Sequence, residues 1–262
     1  MAKAYEKIAD NLREQIRAGQ YGPGDRLPSE ADLVKSSGRS GPTVQQALRV
    51  LQAEGLIEKR HGIGTFVRRP RTPVLRDNAR HQWEKERALA PEEQRLETGA
   101  TEHDTGLEIN DLVFHATYRD IKAAKEVSKA MGVAEGTPLV ERTYRTRYSA
   151  EREPFSLVTS YLIRSLVESN PDLLDETKEP WPGGTMNQLH TVGIEIDRIE
   201  ERITARPPTS EEAEELGLPP GTAVLVLRKT QYDTKDRVVE LSDVTFPGDR
   251  TEMLFTTHLE RW

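Results

Sequence analysis

The sequence contains no cysteine and no long apolar run. The absence of cysteine excludes disulfides, thiolate zinc sites and cysteine nucleophiles. No apolar stretch approaches the roughly 18 residues that a membrane-spanning helix needs, and the N-terminus lacks the uncharged apolar segment of a signal peptide. With 35% apolar and 31% charged residues, the 262-residue chain has a globular composition and room for two domains. We therefore expect a two-domain cytoplasmic protein without a membrane partner.

Catalytic fingerprints are also missing. The chain has no GxSxG, HExxH, P-loop or dinucleotide-binding motif, and its six histidines are scattered without the spacing of metal ligands. Runs of carboxylates such as Glu211-Glu212 are typical of a solvated helix face, with Thr209 and Glu212 at the spacing of a capping box. We therefore predict no catalytic residue, no metal site and no cofactor.

The charge is unevenly distributed along the chain. The net charge is −7, but residues 1–71 carry 13 Lys and Arg against 8 Asp and Glu, which gives +5. The remainder carries 24 against 36, which gives −12. A basic end on an acidic body is the asymmetry expected when only the N-terminal part meets phosphate.

The basic N-terminal part has the pattern of a winged helix-turn-helix. A first helix over 4–18 is followed by a second that begins at Ser29, where Ser29 and Asp32 have capping-box spacing. Gly38 breaks the chain before a third helix that begins at Ser40 or Gly41, with Pro42 in its first turn. Two strands then follow, over 56–60 and 65–67, joined by a glycine-containing turn.

The third helix presents two different faces. Val44, Ala47, Leu48 and Leu51 form an apolar stripe, which leaves four polar side chains elsewhere on the helix. If this helix enters a major groove, those four contact the bases, and a glutamine there would pair with adenine where arginine would favour guanine. Glycines at the turn between the strands would let the backbone approach a phosphate or minor groove, although the same motif also occurs as a simple turn. The four side chains are Thr43, Gln45, Gln46 and Arg49.

The C-terminal part contains an internal repeat. The segment from AAKEVSKAMGVAEGTPLVERTYRTRY to SAEREPFSLVTSYL is followed later by TSEEAEELGLPPGTAVLVLRKTQY and DTKDRVVELSDVTF. In each copy a short helix and a Gly-Thr turn precede a β-hairpin. Two such hairpins form most of one antiparallel sheet covered by helices, which predicts an α+β domain.

These motifs resemble a known family. LPSEADL, SGPTVQQALRVLQAEGLI and HGIGTFV look like the winged-helix domain of GntR-type bacterial transcription regulators. The second half, with GTPLVERTYRTR, REPFSLVTSYL and VVELSDVTFPGDR, resembles the chorismate-lyase-like sensing domain of the HutC branch, also called UTRA. Ala31, Gly41 and Gln45 stand where the family carries arginines. We therefore expect an operator that differs from the one most relatives recognise.

The resemblance and the strand patterns together identify candidate site residues. Alternation places Arg145 and Arg147 on one face of their strand and Arg142 on the other. Arginine, serine and glutamate among apolar residues suit either a small-ligand pocket or a solvent-facing sheet surface, and the arginines weakly favour an anionic effector. The predicted DNA-binding residues are Ser29, Arg39, Ser40, Thr43, Gln45, Gln46, Arg49, Arg60, His61, Gly62, Gly64 and Thr65. The predicted effector-binding residues are Arg142, Arg145, Arg147, Ser160, Tyr161, Arg206, Glu240 and Ser242.

The sequence thus predicts an α+β protein with an N-terminal winged helix-turn-helix followed by a chorismate-lyase-like antiparallel-sheet domain. The expected boundaries are 1–70 for DNA binding, 71–95 for a linker and 96–262 for effector binding and dimerisation. The function implied is a repressor that binds double-stranded DNA at a palindromic operator as a homodimer and responds to a small-molecule effector. The alternatives are a chorismate-lyase-like enzyme fused to a winged helix, and a regulator whose second domain serves only dimerisation.

Overall fold

The computed structural model describes residues 3–260, which fall into two compact units. The first comprises Met1–Arg71 and Pro207–Ala223, and the second comprises Thr72–Arg206 and Val224–Trp262. None of the helices within 3–260 is long and apolar enough to cross a membrane.

The first unit is a winged helix-turn-helix. Its elements are α1 (Ala4–Arg17), α2 (Glu30–Ser37), α3 (Gly41–Ala53), β1 (Ile57–Arg60) and β2 (Gly64–Val67). Ser29 caps α2 by accepting a hydrogen bond from the Asp32 backbone N–H at 3.2 Å, and Gly38 ends that helix in the left-handed conformation. The two strands pair antiparallel, Ile57 opposite Val67. The predicted helices, caps and wing are therefore present.

The core of this unit comes from the apolar stripes of its three helices. Val44, Ala47 and Leu51 on α3 are completely buried, and they pack with Leu12 of α1 and Leu33 of α2. Because this stripe faces inward, the opposite side of α3 is left at the surface.

The second unit is built on one six-stranded antiparallel sheet. The strands run in the order β4-β5-β6-β9-β8-β7, and a separate parallel pair joins β3 to β10. The elements are β3 (Val74–Asp77), α4 (Arg80–Ala88), α5 (Glu92–Glu97), α6 (Ala100–Thr105), β4 (Leu112–Lys122), α7 (Lys125–Met131), β5 (Pro138–Tyr148), β6 (Leu157–Ile163), α8 (Arg164–Val167), α9 (Gly184–Thr191), β7 (Ile196–Arg206), α10 (Ser210–Glu215), β8 (Val224–Asp233), β9 (Val238–Pro247) and β10 (Thr251–Leu254). Of these, α10 lies in the segment that groups with the first unit.

The predicted repeat is present in the chain. One copy is α7 followed by the β5–β6 hairpin, and the other is α10 followed by the β8–β9 hairpin. The two hairpins lie side by side because β6 pairs with β9. They supply the four central strands of the sheet.

Register defines two faces of the sheet. Arg142 lies opposite Ser160, Ser160 opposite Ser242, and Ser242 opposite Lys229, so all four side chains share one face. Apolar neighbours on that face pack with residues of α9, and we call it the α9 face. Leu139 and Leu241 on the other side pack with Met131 of α7, and we call that side the α7 face.

Residues 71–95 differ from the expected linker. Val74–Asp77 forms β3, which pairs with β10 near the other end of the chain, and α4 is packed into the second unit through the buried Ala88. The charged composition of this segment hides its fold, because its buried arginines are matched by carboxylates elsewhere in the sequence. The second unit therefore begins at Thr72.

Candidate DNA-binding surface and ligand cavities

The polar side of α3 is joined to α2 and the wing by hydrogen bonds. Gln45 Nε2 donates to Glu30 Oε2 at 2.9 Å, and Lys59 Nζ donates to Glu30 Oε1 at 2.8 Å. Glu30 thus links the second helix to α3 and to β1. These contacts lower the pKa of Glu30, chiefly through the hydrogen bond from Lys59.

A second hydrogen-bonded pair lies one turn further along α3. Arg49 donates from Nε at 3.2 Å and from Nη2 at 2.6 Å to Gln46 Oε1. Arg49 is exposed, whereas Gln46 is half-buried. At the start of the helix, the hydroxyls of Ser40 and Thr43 are 2.9 Å apart. The exposed side of α3 therefore carries Thr43, Gln45 and Arg49 in one row, and Gln46 orients the arginine.

The wing presents backbone and one cation. His61, Gly62 and Ile63 are exposed at its tip, and Gly62 has a positive φ of 70° that favours glycine. Arg60 is exposed, pairs with Glu58 at 2.6 Å and lies over the Phe66 ring at 4.5 Å. The wing thus offers a close backbone approach beside a charged side chain.

Two adjoining cavities lie on the α9 face of the second unit. The sheet cavity, of about 230 Å³, is lined by residues of the sheet, β3, α4 and α6; the loop cavity, of about 210 Å³, extends towards the 179–185 loop. Each is smaller than the 300 Å³ or so at the lower end for drug-sized ligands. They share Glu84, Ala100, Thr101, Tyr144, Thr146, Gly184 and Thr185.

The polar lining of the sheet cavity consists mainly of ion pairs. Arg80 contacts Glu84 at 3.0 Å and also pairs with Asp104. Lys229 Nζ lies 3.2 Å from Glu240 Oε2. On the apolar side the lining includes Val74, Phe155, Val158, Val244 and Phe246.

Burial and charge act in opposite directions on the acidic groups of this cavity. Burial alone would raise the pKa of Glu84, but Arg80 outweighs it, and the pKa lies well below its ordinary value. For Asp104, burial dominates and raises the pKa although Arg80 and Arg76 oppose it.

The loop cavity has a wall of hydroxyl groups around one carboxylate. Tyr144 Oη donates to Glu179 Oε1 at 3.2 Å, and Gln188 Nε2 donates to the same oxygen at 3.1 Å. Tyr118 also donates to it. Burial raises the pKa of Tyr144 well above its ordinary value, so the phenol keeps its proton and acts as a donor.

Comparison with known proteins decides what these two units are. Residues 4–67 match the model of bacterial regulatory proteins of the gntR family, and residues 115–252 match the UTRA domain. An HTH-type transcriptional regulator of Streptomyces coelicolor is 33% identical over 256 residues, which cover 95% of this chain and 90% of that protein. The chain belongs to the GntR family, in its UTRA-containing HutC branch.

Two further relatives agree with this assignment. The HTH-type transcriptional repressor NagR of Bacillus subtilis is 25% identical over 259 residues, 94% of this chain and 91% of that one. The crystal structure of a GntR-family transcriptional regulator superposes with a TM-score of 0.61 at 26% identity, covering 98% of both chains. The relatives of this GntR-family chain are transcription regulators rather than enzymes, and its first unit is a DNA-binding module.

The predicted DNA-binding residues of the GntR module occupy three places. Ser29 and Ser40 stand at the starts of α2 and α3, with the exposed Arg39 beside Ser40. Gly62 lies at the wing tip, while Thr65 is buried, at 9% exposed, and its carbonyl accepts from the Leu27 N–H at 2.8 Å. The remaining predicted residues lie on α3 or on the wing beside them: Thr43, Gln45, Gln46, Arg49, Arg60, His61 and Gly64.

The predicted effector-binding residues of the UTRA domain divide between the two faces. Glu240 and Ser242 line the sheet cavity, and Ser160 lies behind them, donating to Glu240 Oε1 at 2.6 Å. Arg142 is on the same face but completely buried, where it donates to Gln188 Oε1 at 2.7 Å and the Leu173 carbonyl at 2.6 Å. It therefore supports the wall and does not line either cavity.

The other predicted residues of the UTRA domain lie away from the cavities. Tyr161, Arg145 and Arg147 share the α7 face by alternation. Arg145 donates to the Tyr144 carbonyl at 2.9 Å, and Arg147 donates to the Glu151 carbonyl at 2.9 Å. Arg206 ends β7 and lines neither cavity.

Several cavity residues are absent from the sequence-based prediction. Arg80 and Glu84 come from α4, within the segment expected to be a linker, and Asp104 comes from α6. The spacing of four between Arg80 and Glu84 is the one available signal, since it places both on one side of a helix. Tyr144 lies between Arg142 and Thr146 on the α9 face, so alternation from Arg142 could have identified it.

Proposed function

We propose that this GntR-family chain is a repressor that binds a palindromic operator as a homodimer and is controlled by a small molecule in the sheet cavity. The observation that carries the proposal is the exposed row on α3, beside a wing and above a closed core. A helix with such a row enters a major groove with its polar side chains against base edges. The named repressor among the relatives supports the sign of the control.

Dimerisation follows from the small number of bases that one module can contact. A single recognition helix reads only a few base pairs, and each mismatch costs about 1–3 kcal/mol, so one module alone discriminates poorly against genomic DNA. Two modules related by a two-fold axis read two half-sites separated by about one helical turn of DNA. We expect the second unit to supply most of the dimer contacts.

The effector acts through the difference in its affinity for two arrangements of the dimer. A ligand shifts a conformational equilibrium only when it binds one state more tightly than the other. We infer that occupation of the sheet cavity favours an arrangement in which the two recognition helices no longer fit adjacent half-sites, so the operator is released. A domain that served only dimerisation would not need an enclosed polar cavity.

Selection of bound fragments from genomic DNA by the full chain tests this function. The proposal predicts enriched fragments that share an inverted repeat, with footprints covering both half-sites and two chains bound per site. Fragments without a common sequence, or a single unpaired half-site bound by one chain, would contradict the palindrome and the dimer.

A further inference from the structure

Every cationic side chain that lines the sheet cavity already has a carboxylate partner. Within residues 3–260, the pairs are Arg80 with Glu84 and Asp104, Lys229 with Glu240, and Arg76 with Glu201 at 2.5 Å. The three lining cations are thus balanced by the three lining carboxylates, with Glu201 behind them. The cavity offers no surplus positive charge to an anion.

An anionic ligand would have to break one of these pairs. Arg76, Arg80 and Glu240 are each less than 9% exposed, so the pairs lie in a low-dielectric environment. Removing one partner from a buried pair leaves an uncompensated charge, which is strongly unfavourable. A phosphate or a polycarboxylate therefore fits this lining poorly.

Acceptor atoms, in contrast, remain available. Asp104 is 8% exposed and Glu240 is 2% exposed, yet Asp104 Oδ1 and Glu240 Oε2 have no hydrogen-bond donor among the described residues. His103 Nδ1 lies 3.5 Å from Asp104 Oδ1, and Lys229 Nζ makes its ion-pair contact with Glu240 Oε2. Buried acceptors are normally satisfied, so Asp104 Oδ1 in particular calls for an N–H donor.

The same cavity has an apolar wall. Val158, Val244 and Phe246 line it from the sheet, and Phe155 lines it from the loop before β6. A ligand that reaches Asp104 also contacts this wall, because the cavity measures only about 230 Å³. Apolar contact surface with a few placed polar groups is the usual composition of a small-molecule site.

We propose that the effector is a small organic amine with an apolar portion, whose ammonium group donates to Asp104, and that it is neither a phosphate ester nor a polycarboxylate. This inference rests on the proposed function, because it names the ligand class of the cavity assigned there. A charge-assisted hydrogen bond from an ammonium group satisfies Asp104 Oδ1 without disturbing the Arg80 contact on the other oxygen.

The burial of Asp104 supports this choice of anchor. Its pKa is raised because desolvation penalises the charged carboxylate. A bound cation beside it would stabilise that charge and lower the pKa again, so binding and ionisation of Asp104 favour each other. Glu84 is held well below its ordinary pKa by Arg80 and has no comparable need of a second cation.

Three probes of matched shape provide the first test with the full chain: isoamylamine, isocaproate and isoamyl phosphate. We expect the amine to raise the melting temperature of the second unit in a saturable manner, while the carboxylate and the phosphate do not. Asp104→Asn should weaken the effect of the amine at least tenfold. The matched control is Glu141→Gln, a glutamate on the α7 face, which should leave it unchanged. Stabilisation by the phosphate or the carboxylate in preference to the amine, or by none of the three, would overturn the proposed ligand class.

A second experiment separates this inference from the proposed function and needs no variant. A small-molecule extract of bacterial cells is loaded on a strong cation exchanger at acidic pH, where amines keep their charge and carboxylic acids lose theirs. Each fraction is then tested for its effect on binding of the wild-type chain to a selected operator. Activity in the retained fraction supports the amine. Activity only in the unretained fraction overturns the ligand class while leaving an effector-controlled regulator intact, and the absence of activity in every fraction contradicts effector control itself.

Discussion

Gln45 and Glu30 are joined by a hydrogen bond of 2.9 Å from the amide nitrogen to the carboxylate. The contact fixes the direction of the amide group, because Glu30 is itself anchored by Lys59 at 2.8 Å. Gln45 Oε1 and the second N–H remain for a base. That pair of groups matches the N6 donor and N7 acceptor of adenine, whereas guanine presents two acceptors at its major-groove edge.

Removal of Glu30 is therefore expected to relax base preference at one operator position. Each good bidentate contact discriminates by about 1–3 kcal/mol. In Glu30→Ala the amide can rotate, and we predict that selection from random DNA loses its preference for adenine at the position facing Gln45 while other positions keep theirs. Glu14→Ala, on the exposed side of α1, changes the charge equally and serves as the control. An unchanged base profile in Glu30→Ala would show that the carboxylate does not orient Gln45.

The core beneath the recognition helix should be sensitive to truncation. Leu51 is completely buried on the inner side of α3, among side chains of α1 and α2. Leu51→Ala leaves a cavity and is expected to lower the free energy of unfolding of the first unit by about 2–5 kcal/mol. Leu89→Ala, at a position 66% exposed, should change it by less than about 0.5 kcal/mol. Urea denaturation followed by circular dichroism measures both, and equal effects would contradict the assigned core.

Gln188 should matter more for the stability of the second unit than its polarity suggests. Its Oε1 accepts from Arg142, a guanidinium that is 0% exposed, and its Nε2 donates to Glu179. Gln188→Leu leaves one Arg142 donor without its partner, and we expect a loss of about 1–3 kcal/mol in the free energy of unfolding. Gln94→Leu on the exposed part of α5 is the matched change. A loss no larger than that of the control would mean that Arg142 finds another acceptor.

Acid should destabilise the second unit through Glu201. Burial opposes ionisation of this carboxyl, but His81 and Arg76 outweigh it and lower the pKa to about 2. A carboxyl with a depressed folded pKa stabilises the protein above its unfolded pKa of about 4.3, and this stabilisation is lost as the pH falls towards the folded value. We predict that the melting temperature of the wild type falls between about pH 5 and pH 3 by more than that of Glu201→Gln. Parallel curves for the two proteins would contradict the role of this ion pair.

The winged helix was predictable from sequence because its signals are local. Ser29 with Asp32, Gly38 and Pro42 mark helix ends within a few residues of one another, and the α3 stripe has a clear helical period. The repeat was visible for the same reason, since each copy is a continuous segment of chain. The family resemblance then connected the two halves.

The cavity was less accessible to sequence reasoning because its wall is non-local. Val74 pairs with Thr251, far along the chain, so nothing within residues 71–95 reveals that β3 exists. Alternation correctly separated Arg142 from Arg145, but period two states which side chains share a face and not which face a helix covers. It also gives no depth, which is why Arg142 and Ser242 look alike in the sequence although only Ser242 lines the cavity.

DNA binding by the exposed row of α3 is tested most directly by fluorescence anisotropy on a selected operator and on a scrambled duplex. The account predicts that the wild type binds the operator at least a hundredfold more tightly than the scrambled duplex. It also predicts that log affinity falls with log salt by about 0.9 per phosphate contact. Arg49→Ala should remove the preference for the operator while leaving the thermal unfolding of both units unchanged. Equal affinity of the wild type for the two duplexes, or an Arg49→Ala protein that still distinguishes them as the wild type does, would contradict it.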